Sequence, residues 1–368
     1  MKVLVTGAGG FLGWHTRLRL HALTDHEVVP VGRAEWSQLA ALIGDVDAVL
    51  HLAGVNRADT SDEVERVNVA LADDLATAIR SAERPIRVVY ANSIQAANGT
   101  PYGRGKQRAA DILRKAGDDG GGHLVDVLLP NIFGEHGRPR YNSFIATFVE
   151  ATVHDETPTI SDNRVSLLHA QDAAQALMDG IETPEASLFP RSEMHGVVEV
   201  WDLLREFHAS YMPTGEIPNL SSKFRIDLFN TYRAALFPDH YPIGLTPHRD
   251  ARGSFVETIR CRGGEGQTSV STTAPGITRG DHYHLKKIER FAVVSGSATI
   301  ELRRMFTNEV LTFPANGDQP AAVDMPIGWA HNITNTGEDV LITQFWSHEL
   351  FRPEAPDTFP EPVRPRDE

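Results

Sequence analysis

The chain has 368 residues, 41% of them hydrophobic, and carries a formal net charge of −14. That acidity argues against nucleic acid as a partner, because a phosphate backbone is bound by clustered Lys and Arg. The single cysteine, Cys261, excludes an intrachain disulfide and fits a reducing cytoplasm, and no apolar run approaches the ~20 residues of a membrane span.

At this length two domains with their own cores are expected. The apolar run Val3-Leu4-Val5 predicts a first strand, which leaves no room before it for a secretory signal. It leads into Thr6-Gly7-Ala8-Gly9-Gly10-Phe11-Leu12-Gly13, and Trp14 to Leu23 then has helical apolar spacing. Glycines at 7, 10 and 13 allow a tight turn, close approach of backbone to a pyrophosphate, and close packing of helix on strand. The phosphates would meet N–H groups at the helix N-terminus, so Gly7, Gly10, Phe11, Leu12 and Gly13 are expected to surround a dinucleotide. The second strand, Glu27 to Gly32, ends on Arg33. A fold selecting NAD would usually place Asp or Glu there for the ribose hydroxyl. Arg33 suits a 2′-phosphate instead, so NADPH is the expected cofactor.

Strand-like runs then alternate with helical ones: Ala48 to Ala53, Ala70 to Ile79, Arg87 to Ala91, Ala109 to Leu113 and Val125 to Leu129. That alternation predicts a Rossmann-type, doubly wound parallel sheet. Tyr102 and Lys106 stand at i and i+4 on one side of a helix, after a strand that ends on Ser93. From Met1 to about residue 240 the sequence resembles the extended short-chain dehydrogenase/reductase superfamily. The resemblance implies that Tyr102 donates a proton to a carbonyl undergoing reduction. It implies that Lys106 lowers the tyrosine pKa and holds the nicotinamide ribose, that Ser93 hydrogen-bonds the carbonyl oxygen, and that Asn68 is the asparagine of the proton relay. Two features depart from the pattern: a short Ser93–Tyr102 spacing, and Gly103 and Gly105, each weakening the helix start by up to about 1 kcal/mol. Ile94-Gln95 follow Ser93 where dehydratases carry an Asp-Glu pair, so dehydration is not expected.

The chain divides near residue 245, after the linker-like Tyr241 to Pro247, and short β-rich runs joined by Gly- and Asn-containing turns follow. The expected domains are 1–244, 245–352, and a Pro- and charge-rich tail over 353–368 that should be poorly ordered. Within Gly276 to Gly296, His282 and His284 share one face of an extended strand, and Glu289 follows five residues after His284. His331 lies behind a Pro326/Gly328 turn. Three imidazoles and a carboxylate suit a divalent transition metal. The spacing resembles that of a cupin: Gly, five residues, His-x-His, four residues, Glu, six residues, Gly, then Pro326 to Asn335 as the second half. An all-β jelly-roll barrel is therefore expected after the parallel sheet.

The segments Leu52 to Arg57, Asn92 to Ala96, Leu129 to Gly134 and Arg138 to Phe144, together with the cupin, resemble the CapF-type capsule-biosynthesis enzymes over nearly the whole chain. That family joins an NADPH-dependent reductase to a zinc cupin epimerase. The resemblance implies C3 epimerisation of a UDP-2-acetamido-2,6-dideoxy-4-hexulose, then C4 reduction to a UDP-N-acetyl-6-deoxy-L-talose. It implies Leu52, Ala53 and Gly54 as further cofactor contacts, and Asn131, Arg138, Asn142 and Ser143 as substrate contacts. Arg138, Arg140 or Arg164 could meet the diphosphate. Asp250 to Glu257 resembles a nucleotide-contacting run of dTDP-4-keto-sugar epimerases, which implies Arg252 and Glu257 as nucleotide-binding residues. In those metal-free enzymes the residue at the His282 position is the base. The full ligand set assigns His282 to metal here, leaving Tyr283, Lys286 and Lys287 as base candidates. Zinc is expected from the family, while the ligand set alone also admits Fe2+ or Mn2+. A homodimer without membrane attachment is expected. Two other readings remain open: a plain nucleotide-sugar reductase whose cupin serves only dimerisation, and an oxygenase fusion.

Overall fold

The computed structural model describes residues 1–364. It divides into two compact units, Met1–Thr147 with Ile160–Val198, and Phe148–Thr159 with the chain from Glu199 onward. Residues 199–244 thus cluster with the β-rich half, so the boundary expected near 245 falls inside the second unit.

The first unit runs β1 (Lys2–Thr6), α1 (Phe11–Leu23), β2 (Glu27–Val31), α2 (Leu39–Leu42), β3 (Ala48–His51), α3 (Ser61–Ser81), β4 (Arg87–Ser93), α4 (Pro101–Asp119) and β5 (His123–Leu129). It continues through β6 (Asn131–Phe133), α5 (Phe144–Val153), whose residues from Phe148 on belong to unit two, β7 (Arg164–His169), α6 (Ala170–Glu182), β8 (Ser187–Leu188) and β9 (Glu193–Gly196). The main sheet has the order β2-β1-β3-β4-β5-β8, and all its pairs are parallel. Strand pleating explains why it is covered on both faces. Val3, Val5, Leu50, Val89 and Val127 form one buried cluster with Leu20 of α1 and Ala173 and Leu177 of α6. Their alternate neighbours Leu4, Val49 and Val88 form the other, with Leu75 and Ile79 of α3 and Leu113 of α4. The chain leaves β1 towards β2 on one side and returns to β3 on the other. The carboxyl ends of β1 and β3 therefore flank a topological switch point, where such sheets bind ligands.

The second unit contains α7 (Val197–Thr214), whose first residues belong to unit one, and α8 (Lys223–Leu236). The strands that follow are β10 (Ile243–Gly244), β11 (Pro247–Asp250), β12 (Gly253–Val256), β13 (Gln267–Thr273), β14 (Thr278–Tyr283), β15 (Glu289–Ser295) and β16 (Ser297–Arg304). The last five are β17 (Val310–Asn316), β18 (Ala321–Met325), β19 (Trp329–Asn335), β20 (Leu341–Ser347) and β21 (Phe359–Pro360). They form two five-stranded antiparallel sheets, β10-β18-β15-β20-β13 and β17-β16-β19-β14-β21, beside a β11-β12 hairpin.

Two sequence expectations fail here. The segment Tyr241 to Pro247 is not a free linker, because Ile243 and Gly244 pair with Ala322 and Ala321 and the Tyr241 ring is buried. A buried ionic knot lies beside it. Arg290 donates Nε and Nη2 to the two Asp324 oxygens at 2.6 and 2.9 Å, and Tyr211 of α7 donates to Asp324 at 2.5 Å. Burial would raise the Asp324 carboxyl, but Arg290 holds it below its usual range. The Pro-rich tail is ordered as far as it is described: β21 pairs with β14, and Val363 is fully buried. Its apolar residues are few, yet Phe359 and Val363 are spaced to fit the sheet they reach.

Candidate active sites

The glycine turn fits a dinucleotide for steric reasons. Gly7 has φ +66°, and a Cβ there would stand 2.9 Å from Ala53 N; one on Gly13 would stand 2.1 Å from Gly7 O. Side chains are thus forbidden where β1, β3 and α1 approach. The N-cap of α1, Gly10, provides no side-chain cap, and its first-turn N–H groups remain available to an anion. Thr6 Oγ1 accepts from Leu52 N and Ala53 N at 3.1 Å each and lies 2.8 Å from His51 Nδ1, so it ties the two lips of the crevice. Burial lowers His51 to about 3, which keeps that ring neutral. Arg33 is exposed at the carboxyl end of β2, while the nearby Glu35 carboxylate turns back to accept from Gly32 N at 2.9 Å.

At the end of β4 the Ser93 hydroxyl lies near enough to the Tyr102 phenol to act on its proton affinity. Burial raises Tyr102 and Ser93 opposes the rise. Asn92 Oδ1 accepts from Ser93 N at 2.8 Å and fixes the strand end. Lys106, one turn beyond Tyr102, is buried; it donates to Ala91 O at 2.7 Å, and its ammonium sits 4.6 Å from the Tyr90 ring centre. Burial lowers it to about 8, against the pull of Asp126. The glycines that seemed costly have a tertiary cause. A Cβ on Gly103 would meet Gln95 O at 2.4 Å, so the 95–98 loop can pack on α4 only without one, and a Cβ on Gly105 would meet Glu65 Cα at 3.0 Å, where α4 lies against α3. Asn68 spends its amide on backbone: Nδ2 donates to Val55 O and Val64 O at 2.8 Å, and Oδ1 accepts from Val55 N at 3.1 Å. It clips the 52–55 loop to α3.

In the second unit the four expected ligands converge. His282 and His331 are cross-strand partners on β14 and β19, Glu289 opens β15 of the other sheet, and His284 follows β14. Their ligand atoms all lie within 4.8 Å of one another. Glu289 Oε2 lies 3.1, 3.3 and 3.7 Å from the Nε2 atoms of His284, His331 and His282. A bulge at Asp281, φ +56°, aims His282 inward. The donor set fits a cation. His284 Nδ1 is 2.6 Å from Asp357 O and His331 Nδ1 is 2.9 Å from Trp329 O; carbonyls only accept, so both rings carry their proton on Nδ1. Their Nε2 lone pairs then face a carboxylate, an arrangement a divalent ion resolves. Burial lowers His331 to about 4, keeping it neutral.

Residues 3–191 match the NAD dependent epimerase/dehydratase family, and residues 248–359 match the polysaccharide biosynthesis C-terminal domain. The chain is 36% identical over 366 residues to the UDP-2-acetamido-2,6-beta-L-arabino-hexul-4-ose reductase of Pseudomonas aeruginosa, covering 98% of each. It is 32% identical to the solved structure of the capsular polysaccharide assembling protein CapF from Staphylococcus aureus, covering 99% of this chain and 100% of that one with a TM-score of 0.62. The chain belongs to the NAD dependent epimerase/dehydratase family, as a CapF-type member. A shorter match, 28% identical over 122 residues, covers 81% of the spore coat polysaccharide biosynthesis protein SpsL of Bacillus subtilis.

Other expected residues of this CapF-type chain fall into two groups. Leu52, Ala53 and Gly54 lie at the switch-point crevice, where Gly54 has no room for a Cβ beside Asn68 Oδ1, 2.8 Å away. Exposed Arg138 stacks on Tyr141, exposed Asn142 follows, and Ser143 Oγ accepts from Ala146 N at 3.3 Å near the start of α5. Arg57 donates to Arg140 O at 3.3 Å, joining two of the motif segments. Asn131 donates to Ser166 O at 3.2 Å and Arg164 to Met194 O at 2.8 Å. By contrast, Arg252 and Glu257 are exposed on the hairpin, with Arg252 bound to Asp250 at 2.5 Å. Neither lines the cavity of about 250 Å³ that includes Lys287, Glu289, Phe345 and Trp346.

Sequence reasoning missed one feature beside α1. Glu135 is fully buried, 3.3 Å from His169 Nε2 and 3.9 Å from His15 Nε2. Burial would raise its carboxyl, yet His169 and then His15 bring it down to about 2. The apolar setting of Phe133 and the adjacent histidine His136 gave the only hint.

Proposed function

We propose that this chain is an NADPH-dependent 4-ketoreductase for a UDP-2-acetamido-2,6-dideoxy-4-hexulose, and that its barrel holds zinc and inverts C3 before reduction. Reduction is assigned to residues 1–244 and epimerisation to 245–352. The observation that carries the reading is buried Lys106 one turn beyond Tyr102, held by Ala91 O at 2.7 Å beside the strand end that carries Ser93. The Pseudomonas relative is named as a hexul-4-ose reductase, which supports a ketone at C4.

Gly7 to Gly13 and the 52–54 loop would hold the dinucleotide, with Arg33 beside its 2′-phosphate. Bound NADPH supplies the hydride. Ser93 and Tyr102 donate hydrogen bonds to the C4 oxygen, and Tyr102 passes its proton to that oxygen as negative charge develops there. Lys106, kept cationic at neutral pH, stabilises the tyrosinate that remains. In the barrel, the C4 ketone acidifies the C3 hydrogen because the carbanion is delocalised as an enolate. A proton removed from one face and returned to the other inverts C3. His282, His284, Glu289 and His331 would hold the metal, which supplies Lewis acidity; zinc over Fe2+ or Mn2+ rests on the family resemblance. Of the base candidates, Tyr283 is buried against Phe359 on the opposite face of β14 and Lys286 pairs with Glu349, whereas Lys287 lines the cavity beside Glu289.

Tyr102→Phe is the test. NADPH oxidation should fall by about 10² to 10⁴, the usual contribution of general acid catalysis, while C3 exchange with solvent stays at the native rate. Near-native NADPH oxidation would refute the assignment. The second reading, a reductase with an inert barrel, is favoured by the relative's name, which mentions reduction alone. It predicts no C3 exchange in either protein.

A further inference from the structure

The C-terminal segment that the sequence marks as a loose tail is built into the metal cluster. Asp357, 8% exposed, accepts from three successive backbone N–H groups: Leu285 at 3.1 Å through Oδ1, and Lys286 and Lys287 at 3.0 and 2.7 Å through Oδ2. Its main-chain carbonyl accepts from His284 Nδ1 at 2.6 Å. One residue therefore fixes both the tautomer of a ligand and the turn that follows it. Asp357 has φ +43°, the left-handed region that Asp, Asn and Gly enter most easily, and this conformation lets side chain and carbonyl face the same turn.

The strap is anchored again beyond that residue. Lys287 Nζ donates to Thr358 Oγ1 at 2.8 Å. Further along, Val363 N donates to Asp281 Oδ1 at 3.1 Å, Glu361 N donates to Asp281 O at 2.9 Å, and Arg303 Nε donates to Val363 O at 2.8 Å. Asp281 immediately precedes His282, so the strap holds the chain before the first ligand as well as after the second. Ala355 and Pro356 line the same cavity as Lys287 and Glu289.

We infer that Asp357 is a positioning residue for the barrel site: it orients His284 towards the ligand centre and holds the 285–287 turn so that Lys287 enters the cavity. The inference rests on the proposal that the four-residue cluster holds a divalent ion. Carboxylate loss should loosen the turn and with it the ligand His284, an effect that outer partners of metal ligands commonly exert by 10- to 100-fold in affinity.

The experiment compares the full-length chain with D357N and D357G. Asn keeps one oxygen for two of the three N–H groups; Gly keeps the left-handed backbone, and so the carbonyl, but removes the carboxylate. Each protein is stripped with chelator and titrated with Co2+, following the visible ligand-field bands, with affinity taken by competition against a chromophoric chelator. The expected order of affinity is native, then D357N, then D357G at least tenfold weaker, with weaker or shifted bands in D357G. Wild-type affinity and bands in D357G, or in D357N should D357G fail to fold, overturn the inference. A native protein that takes up no Co2+ overturns the metal proposal itself, and the inference with it.

Discussion

The buried Glu135 gives a prediction whose size follows from its surroundings. Its carboxyl is held near 2 by His169 and His15 against an ordinary value of 4.5. A gap of about 2.5 pH units, at 1.36 kcal/mol per unit, makes the ionised form worth about 3 kcal/mol to the folded state. Full burial leaves no solvent screening to discount. The sign follows from proton binding: the unfolded chain holds the Glu135 proton more tightly, so the contribution is complete above about 4.5 and is lost as pH falls towards 2. Glu135→Gln mimics the protonated group. Urea unfolding of both proteins, followed by near-UV circular dichroism, should show the variant less stable by about 3 kcal/mol at pH 7. The difference should persist to pH 5 and narrow below 4.5. A penalty under ~1 kcal/mol at pH 7, or one that stays constant down to pH 3.5, would show that the imidazoles do not hold the carboxylate ionised.

Two further perturbations test the nucleotide cradle. Arg33→Asp should weaken NADPH by at least about tenfold while NADH changes little, measured by fluorescence titration, since a carboxylate would replace the guanidinium beside a 2′-phosphate; equal weakening of both cofactors would place the recognition elsewhere. Gly13→Ala puts a Cβ where only 2.1 Å separates it from Gly7 O, so α1 must shift off the turn. The same titration should show NADPH binding lost and Co2+ uptake by the barrel unchanged.

Much of this was legible because the chemistry demanded local patterns. The glycine turn, the Tyr102/Lys106 pair and the His-x-His strand each place side chains by backbone periodicity alone, and the structure brings together the residues that periodicity selects. The features that were not legible depend on distant partners. Gly103 and Gly105 look like helix breakers until the 95–98 loop packs on the first and α3 on the second. Thr6 is an ordinary strand residue until β3 arrives beside it. Asp324, Arg290 and Tyr211 are separated widely in sequence, so nothing local showed that residues 199–244 would join the β-rich unit. The tail misled for the same reason: its prolines and charges suit a disordered chain, whereas Asp357 and Val363 find their partners on β14 and the turn after it. Arg252 and Glu257, expected from a motif to meet a nucleotide, lie exposed at the β11-β12 hairpin.

If one chain carries two chemistries, the second in the barrel, C3 of a 4-ketosugar exchanges with solvent there without hydride transfer. The most direct test is solvent exchange without nicotinamide. The native protein is incubated in deuterated water with a UDP-2-acetamido-2,6-dideoxy-4-hexulose, and deuterium at C3 is read by mass spectrometry and NMR. The account predicts C3 label in the absence of NADPH, its loss on chelation or in His282→Ala/His284→Ala, and its return in the native protein when Zn2+ is restored. C3 label that persists in demonstrably metal-free protein, or no label in the zinc-loaded native protein, would contradict it.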